Sequence, residues 1–329
     1  MDTVRTDKDN DAINQVIKTI QDSKEIQEQE KLKMIQNLQG LRNEKLNILI
    51  TGATGCGKSS TINALFGEDI AKVGTGVDPE TQNIQKFQLN NMVLWDSPGL
   101  GDGKEADNRH AKNIINKLHE RDKDGNALID IVLVILDGSS RDLGTSYELI
   151  NSVIIPNLGK DRENRILVAI NQCDMAMKGR YWDTKLNVPQ KQLVEFLNEK
   201  VQSVQQRIKE GTGVDIEPIY YSAGYKDGDE KQNPYNLAKL LYYIVTMTPQ
   251  QKRLIYMDNI SRQKEMWQDN DDLKDYKREI EKSWIDTIKE TAQIGADIGG
   301  EIGKTFGSVG ESVGRAVGAL VGAFVGLFR

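Results

Sequence analysis

Apolar positions recur along this chain with two periods. Leu46–Ile50 is apolar except for Asn47, and Ile131–Leu136 and Ile166–Ile170 are unbroken apolar runs rich in β-branched residues. Runs of this kind mark strands covered on both faces, as in parallel sheets. Phe87 and Leu89 alternate with Lys86 and Gln88; Asn90-Asn91 and then Met92–Trp95 follow, which predicts a hairpin. Glu217–Tyr221 predicts a further strand. Ser60–Phe66, Ala111–Leu118, Val194–Ile208 and Tyr235–Met247 carry helical spacing between these strands. Strand and helix therefore alternate over residues 45–250, which predicts an α/β fold: a mostly parallel sheet with helices on both faces.

The flanks read differently. In residues 1–44, Ile13, Val16, Ile17 and Ile20 predict one helix. Leu32, Ile35, Leu38 and Leu41 predict a second, ending near Gly40 and lying on the surface of the next segment. Residues 251–329 hold no strand signal. A long charged helix is expected from Thr248-Pro249 to about Thr291. From Ile294-Gly295 to Val325-Gly326 a bulky apolar residue precedes glycine nine times, at steps of four residues with one step of three. The expected organisation is an N-terminal helical segment 1–44, an α/β domain 45–250 and a C-terminal helical region 251–329 with a glycine repeat at 294–326.

Composition narrows the function classes. With 329 residues, 38% hydrophobic and 28% charged, the chain has a globular composition with room for about two domains. The net charge of −6 speaks against direct nucleic-acid binding. Two cysteines, Cys56 and Cys173, make no disulfide framework and point to a reducing compartment. They read as buried, inert thiols. Residues 1–10 lack the apolar core of a secretory signal. No uncharged apolar run is long enough for an ordinary transmembrane helix. A cytoplasmic protein is expected, peripheral to the inner face of a membrane if its C-terminus meets lipid.

That C-terminus poses an energetic question. Each glycine in a helix costs about 1 kcal/mol against alanine. Close helix–helix approach through small faces offsets such a cost, especially in lipid. Residues 294–329 therefore read as a membrane-inserting or partner-binding helix, as a segment packed within the monomer, or as a flexible tail.

Four loops carry chemistry. Gly52-Ala53-Thr54-Gly55-Cys56-Gly57-Lys58-Ser59 stands between the strand Leu46–Ile50 and the helix Ser60–Phe66. Glycines let such a loop curl so that its N–H groups face a β-phosphate, with the helix dipole behind it. Gly52, Thr54, Gly55, Cys56, Gly57 and Ser60 are the expected cradle, Lys58 neutralises β- and γ-phosphate oxygens, and Ser59 binds Mg²⁺. Asp96-Ser97-Pro98-Gly99 closes the strand Met92–Trp95. Asp96 is placed to hold the metal through water, and the Gly99 N–H to meet a γ-phosphate. In Asn171-Gln172-Cys173-Asp174 a carboxylate at Asp174 accepts from the two adjacent donors of guanine, a pair adenine lacks, while Gln172 covers the ring. Ser222-Ala223-Gly224 follows the last strand, and the Ala223 N–H is suited to the guanine carbonyl. Both base loops sit at strand C-termini, where ligands bind in such sheets.

These residues resemble the Era-like, translation-factor-type GTPases, and within them a bacterial group described as 50S ribosome-binding GTPases. The likeness is carried by Gly57–Gly67, Trp95–Gly103 and Asn171–Asp174 and extends over about residues 30–250. It implies a P-loop G domain that uses GTP/GDP and Mg²⁺ and hydrolyses GTP as a molecular switch, with Lys58, Thr81 and Gly99 at the reacting phosphate; the alternatives are a nucleotide-binding membrane effector or scaffold with little turnover, and an ATPase on the same fold, against which Asp174 and Ser222-Ala223 argue. It locates the first switch threonine at Thr81, with Thr75 as the other choice; Thr81 would join Ser59 and Asp96 on Mg²⁺. Two departures imply slow intrinsic turnover: Leu100 stands where many GTPases have a water-orienting glutamine, and Gly55 stands where some relatives have a potassium-binding asparagine. Arg141 reads either as a finger acting in trans or as a surface arginine paired with Asp142. Lys178, Arg180, Tyr181 and Trp182 either line the base or cap the next helix. A helical protein partner or a homo-oligomer remains open.

Overall fold

In a computed structural model, residues 12–22, 24, 27–67, 70–71, 83–101, 103–227 and 230–294 are described. Their strands are β1 (Leu46–Gly52), β2 (Gln85–Leu89), β3 (Met92–Asp96), β4 (Ile131–Asp137), β5 (Ile166–Asn171), β6 (Trp182–Asp183), β7 (Val188–Pro189), β8 (Ile219–Tyr220), β9 (Tyr225–Asp227) and β10 (Glu230–Gln232). A six-stranded sheet has the order β2-β3-β1-β4-β5-β8, parallel except for β2, which pairs antiparallel with β3. β6–β7 and β9–β10 are two separate hairpins. The last sheet strand is shorter than Glu217–Tyr221 predicts, because Pro218 has no N–H to donate and pairing begins at Ile219.

The helices are α1 (Ala12–Asp22), α2 (Glu28–Leu41), α3 (Lys58–Phe66), α4 (Lys104–His119), α5 (Gly144–Glu148), α6 (Lys191–Thr212), α7 (Leu237–Met247), α8 (Ile255–Asn259) and α9 (Tyr276–Ile294). Successive strand residues face opposite sides, and the sheet separates two cores on that rule. Leu46, Ile48, Ile50, Leu133, Ile135, Leu167 and Ala169 face one side. That side is covered by α1, α2, α3, α7, α8 and α9. Leu49, Val132, Val134, Leu136, Ile166, Val168 and Ile170 face the other, with α4, α6 and the helical turns after α5.

The flanking helices share the first of these cores. Ile13, Val16, Ile17 and Ile20 are all buried, as the spacing predicts. In α2 the buried face is Lys31, Met34, Leu38 and Leu41, while Leu32 is 61% exposed. Leu38 and Leu41 are thus buried as expected and Ile35 is partly buried, while Lys31 takes the place expected for Leu32, with its ammonium on Gln21 O and Glu28.

The long helix expected from Thr248-Pro249 to Thr291 does not form. The chain makes a turn at Gln250–Lys252, the short α8, a second turn at Lys264–Trp267, and only then α9. Two causes are visible. Asn270 and Asp271 accept hydrogen bonds from the N–H groups of Asp272 and Leu273 with their side chains, the competition that breaks helices. Trp267 and Met266 are buried, and the Ser261 N–H binds Leu65 O, so the segment wraps the core instead of continuing straight. Lys252 reaches Asp130 at 2.7 Å and ties this wrap to the sheet. The glycine repeat, apart from Ile294, lies outside the described residues.

α9 is held by Trp284, which is fully buried, and by Arg253, whose guanidinium binds Ser283 Oγ and Thr246 O. Trp284→Ala should therefore cost about 3–5 kcal/mol. Denaturant melts should show that loss in the one transition that also reports the sheet; a separate early transition for α9 would contradict a shared core.

Candidate functional site

Each loop singled out above leaves the C-terminal edge of the sheet. β1 runs into the phosphate-type loop, β3 into Asp96–Gly99, β5 into Asn171–Asp174 and β8 into Ser222–Gly224. The fold thus brings these four loops to one edge.

The first loop is curled by Gly55 and Gly57 at φ 78° and 89°. A Cβ on Gly57 would overlap Asn171 Nδ2, so only glycine fits there. Lys58 opens α3 and is buried, its ammonium 3.0 Å from Ala53 O and 3.4 Å from Gly52 O. Both acceptors are neutral carbonyls of its own loop. Ser59 and Ser60 are partly exposed in the first turn of α3, Thr54 and Gly55 are exposed, and Cys56 is buried. Burial raises the thiol pKa of both Cys56 and Cys173, in keeping with inert thiols.

Asn171 binds the loops together. Its Nδ2 donates to Cys56 O at 2.9 Å, and its Oδ1 accepts from the Ala223 N–H at 2.9 Å. The Ala223 N–H expected to serve a guanine carbonyl is therefore engaged inside the protein. The Gly224 N–H is turned onto Ser222 Oγ, and Ser222 pairs through its backbone with Tyr235. Gln172 lies back over the phosphate-type loop, its amide on Gly55 O at 3.0 Å.

Two carboxylates stand out. Asp96 and Asp174 are 1% and 7% exposed, and each has a buried Oδ1 without a hydrogen-bond partner. Such atoms are costly unless something completes them. Asp96 is suited to a cation through water, and Asp174 to a ligand with N–H donors. Burial pushes the Asp96 carboxyl up to about 6, with Lys58 opposing the shift. Among the described residues, no group of three or more His, Cys, Asp and Glu gathers as a metal cluster. A cation here would lean on Asp96, Ser59 and the ligand itself. Thr81 and Thr75, expected on the first switch, lie outside the described residues.

The other candidates separate. Leu100 is buried in the core, and its carbonyl accepts from the Thr54 N–H at 3.1 Å. Arg141 is exposed in the loop after β4. Trp182 is buried edge-on to Tyr235 at 5.3 Å, so it packs the interior, whereas Tyr181 is 38% exposed. Lys178 and Arg180 are exposed.

Sequence reasoning missed two braces. Thr61 donates to Gly57 O and meets the Tyr221 hydroxyl at 2.6 Å, joining α3 to the base-side loop. Lys200 on α6 donates to Gly138 O and Ser140 O at 2.7 and 2.6 Å, and the Gly138 N–H binds Asn171 O. Neither brace has a local sequence signal, because the partners lie far apart in the chain.

Residues 47–172 match the family model described as 50S ribosome-binding GTPase. The matched stretch carries the phosphate-type loop, Asp96–Gly99 and Asn171-Gln172, and ends before Asp174. The chain is 30% identical to Uncharacterized protein YkfA of Escherichia coli over 148 residues, 44% of this chain and 47% of that protein. It is 26% identical to Translocase of chloroplast 34 of Pisum sativum over 237 residues, 66% of this chain and 70% of that protein. The chain thus spans about half the length of the E. coli relatives it matches. Toc33 of Arabidopsis thaliana, solved with Mg²⁺ and GMPPNP, is similar over 66% of this chain and 85% of its own, at 17% identity and a TM-score of 0.41. The fold is a P-loop G domain, with helices before and after it.

The Asp96 shift yields a test on the ligand-free protein. The unfolded carboxyl ionises near 3.8 and the folded one near 6, so the native state loses stability as pH rises between these values and keeps that loss above them. Asp96→Asn should stabilise the ligand-free chain at pH 8 by on the order of 3 kcal/mol. The gain should shrink to well under about 1 kcal/mol at pH 4. Urea melts at the two pH values measure it, and a gain equal at both would refute the assignment.

Proposed function

We propose that this chain binds GTP and GDP with Mg²⁺ and hydrolyses GTP to GDP and phosphate as a molecular switch. The observation that carries the reading is the pair of buried, incomplete carboxylates, Asp96 and Asp174, on loops that Asn171 holds to the phosphate-type loop. The match to a GTPase family model over residues 47–172 supports it.

In this reading Asp174 accepts from the guanine ring N–H and exocyclic amine, and the stem of Gln172 lies along the base. The N–H groups from Thr54 to Ser60 surround the β-phosphate, and Lys58 leaves its loop carbonyls for phosphate oxygens, a stronger charge-assisted bond. Ser59, Asp96 and Thr81 hold Mg²⁺, which when bound neutralises charge on the β- and γ-phosphates. The Gly99 N–H faces the γ-phosphate. Turnover is slow, because the Leu100 side chain is buried and has no polar group to orient water. Residues 294–329 serve a membrane or helical partner, and self-association is a further outcome to measure. Among the described residues no helix is long and apolar enough to cross a membrane.

Base choice tests the site. GDP and GTP should bind with Mg²⁺, with ATP at least about tenfold weaker, or ~1.4 kcal/mol. Asp174→Asn should shrink that gap, since an amide presents a donor where guanine needs an acceptor. Calorimetric titration reads both, and equal GTP and ATP affinities in the unsubstituted chain would overturn the guanine assignment.

Removing the repeat tests the C-terminus. Deleting residues 293–329 should leave nucleotide affinity nearly intact and abolish liposome flotation or self-association. A full-length chain that stays monomeric and unbound with GDP and with a GTP analogue would end the membrane-or-partner reading.

A further inference from the structure

Two side chains on α4 hold the loop that follows β3. His110 is buried, and its Nδ1 lies 3.0 Å from Gly99 O. A carbonyl only accepts, so Nδ1 carries the proton in this contact. Three residues earlier, Asp107 Oδ1 accepts from the Gly101 N–H at 2.8 Å. Residues at i and i+3 share a helix face, so α4 grips both ends of the Gly99–Gly101 turn.

On its other side the same turn is zipped to the phosphate-type loop. The Thr54 N–H donates to Leu100 O, and Ala53 pairs with Leu100 in a parallel bridge. A Cβ on Gly99 would overlap Thr54, so Gly99 is pressed against that loop. The Gly99–Leu100 peptide therefore has both neighbouring carbonyls fixed, one by α4 and one by the phosphate-type loop. A planar trans peptide sets its N–H opposite its carbonyl. Fixing Gly99 O thus fixes the direction of the Leu100 N–H, while the Gly99 N–H, in the preceding peptide, is confined by the close approach of Thr54 to Gly99.

We propose that His110 is a positioning residue that orients the Gly99–Leu100 backbone toward the γ-phosphate, so that it sets the preference for triphosphate over diphosphate. The inference rests on the GTP reading above and adds to it a residue that touches no nucleotide. GDP has no γ-phosphate, so its binding does not use this peptide. The His110 contact therefore acts on one ligand and not on the other, a split that loss of folding or of general packing does not produce.

The test is a titration of the full chain with GDP and with a non-hydrolysable GTP analogue, both with Mg²⁺. Three forms are compared: unsubstituted, His110→Phe and His110→Asn. Phenylalanine keeps the ring volume without the N–H. Asparagine places an amide N–H close to the Nδ1 position. His110→Phe should leave GDP affinity unchanged and weaken the analogue about tenfold, the scale of one lost hydrogen bond. His110→Asn should restore most of that loss. An unchanged analogue-to-GDP ratio in His110→Phe overturns the proposal, and so does equal weakening of both nucleotides. If His110→Phe fails to fold, His110→Leu takes its place as the form without a donor: a ratio that falls in His110→Leu and returns in His110→Asn supports the role of the donor, and a ratio unchanged in His110→Leu overturns it. If the unsubstituted chain binds neither nucleotide, the GTP reading itself has failed; if it binds GDP normally, only the His110 role is at stake.

Discussion

The site depends on one amide. Asn171 is buried, and it fastens the loop after β1 to the loop after β8 across the width of two strands. The parallel order that puts β1, β4, β5 and β8 side by side brings these loops to one edge but does not fix their spacing. A single side chain with one donor end and one acceptor end does so without a charge, and therefore without the desolvation cost that an ion pair would carry at that depth. Gly57 has no side chain because the Asn171 amide occupies the space a Cβ would need. Gly138 is held by the same residue's backbone carbonyl, and through Lys200 the loop after β4 joins the assembly. The Thr61–Tyr221 contact runs parallel to it from inside α3.

Around this frame the protein keeps polar groups that folding alone does not satisfy. Asp96 and Asp174 would be better replaced by neutral residues if stability were the only constraint, since each buries a carboxylate oxygen without a partner. Lys58 is in the opposite condition: its ammonium has acceptors, but only neutral ones supplied by its own loop. Incomplete acids and a weakly held base at the same edge are complementary to one kind of ligand. It is anionic at the end near Lys58 and carries N–H donors at the end near Asp174.

What was legible in the sequence was local. Strand runs such as Ile131–Leu136 are unbroken because both faces are buried, and the glycine loop is recognisable because its backbone geometry demands glycine at set positions. What was not legible depended on distant partners. On α2, Leu38 and Leu41 are buried as read but Leu32 is not, because Lys31 can bury its stem while its ammonium finds Gln21 O and Glu28, an option the apolar pattern does not encode. The long helix predicted after Pro249 was lost to the Ser261–Leu65 contact, the burial of Trp267 and the side-chain turns at Asn270 and Asp271. The Ala223 N–H was assigned to a base from its place after a strand. Its contact with Asn171, itself at the end of another strand, was not foreseen, because only the assembled sheet brings the two together.

The same packing bears on how a nucleotide event would reach the C-terminus. α3 begins at the phosphate-type loop and packs against α7; α7 packs against α9, and Asn37 on α2 binds Thr291 O near the end of α9. The path from Lys58 to the start of the glycine repeat is therefore continuous core. Continuity alone transmits nothing, because a ligand shifts an equilibrium only through contacts that differ between two states. Most contacts around α3 and Asn171 would be the same with a diphosphate as with a triphosphate. The turn at Gly99–Gly101 is different in kind: it lies between the phosphate-type loop and α4, and in the proposed reading its backbone would face the one phosphate that hydrolysis removes. In that reading the state-dependent contact would fall on the α4 side of the sheet, while the repeat follows α9 on the other side. A signal between them has to cross the sheet through the phosphate-type loop itself, where Thr54 holds Leu100 and Lys58 opens α3. On the proposed function, the zipped Ala53–Leu100 pairing would be the junction between hydrolysis and the C-terminal helices.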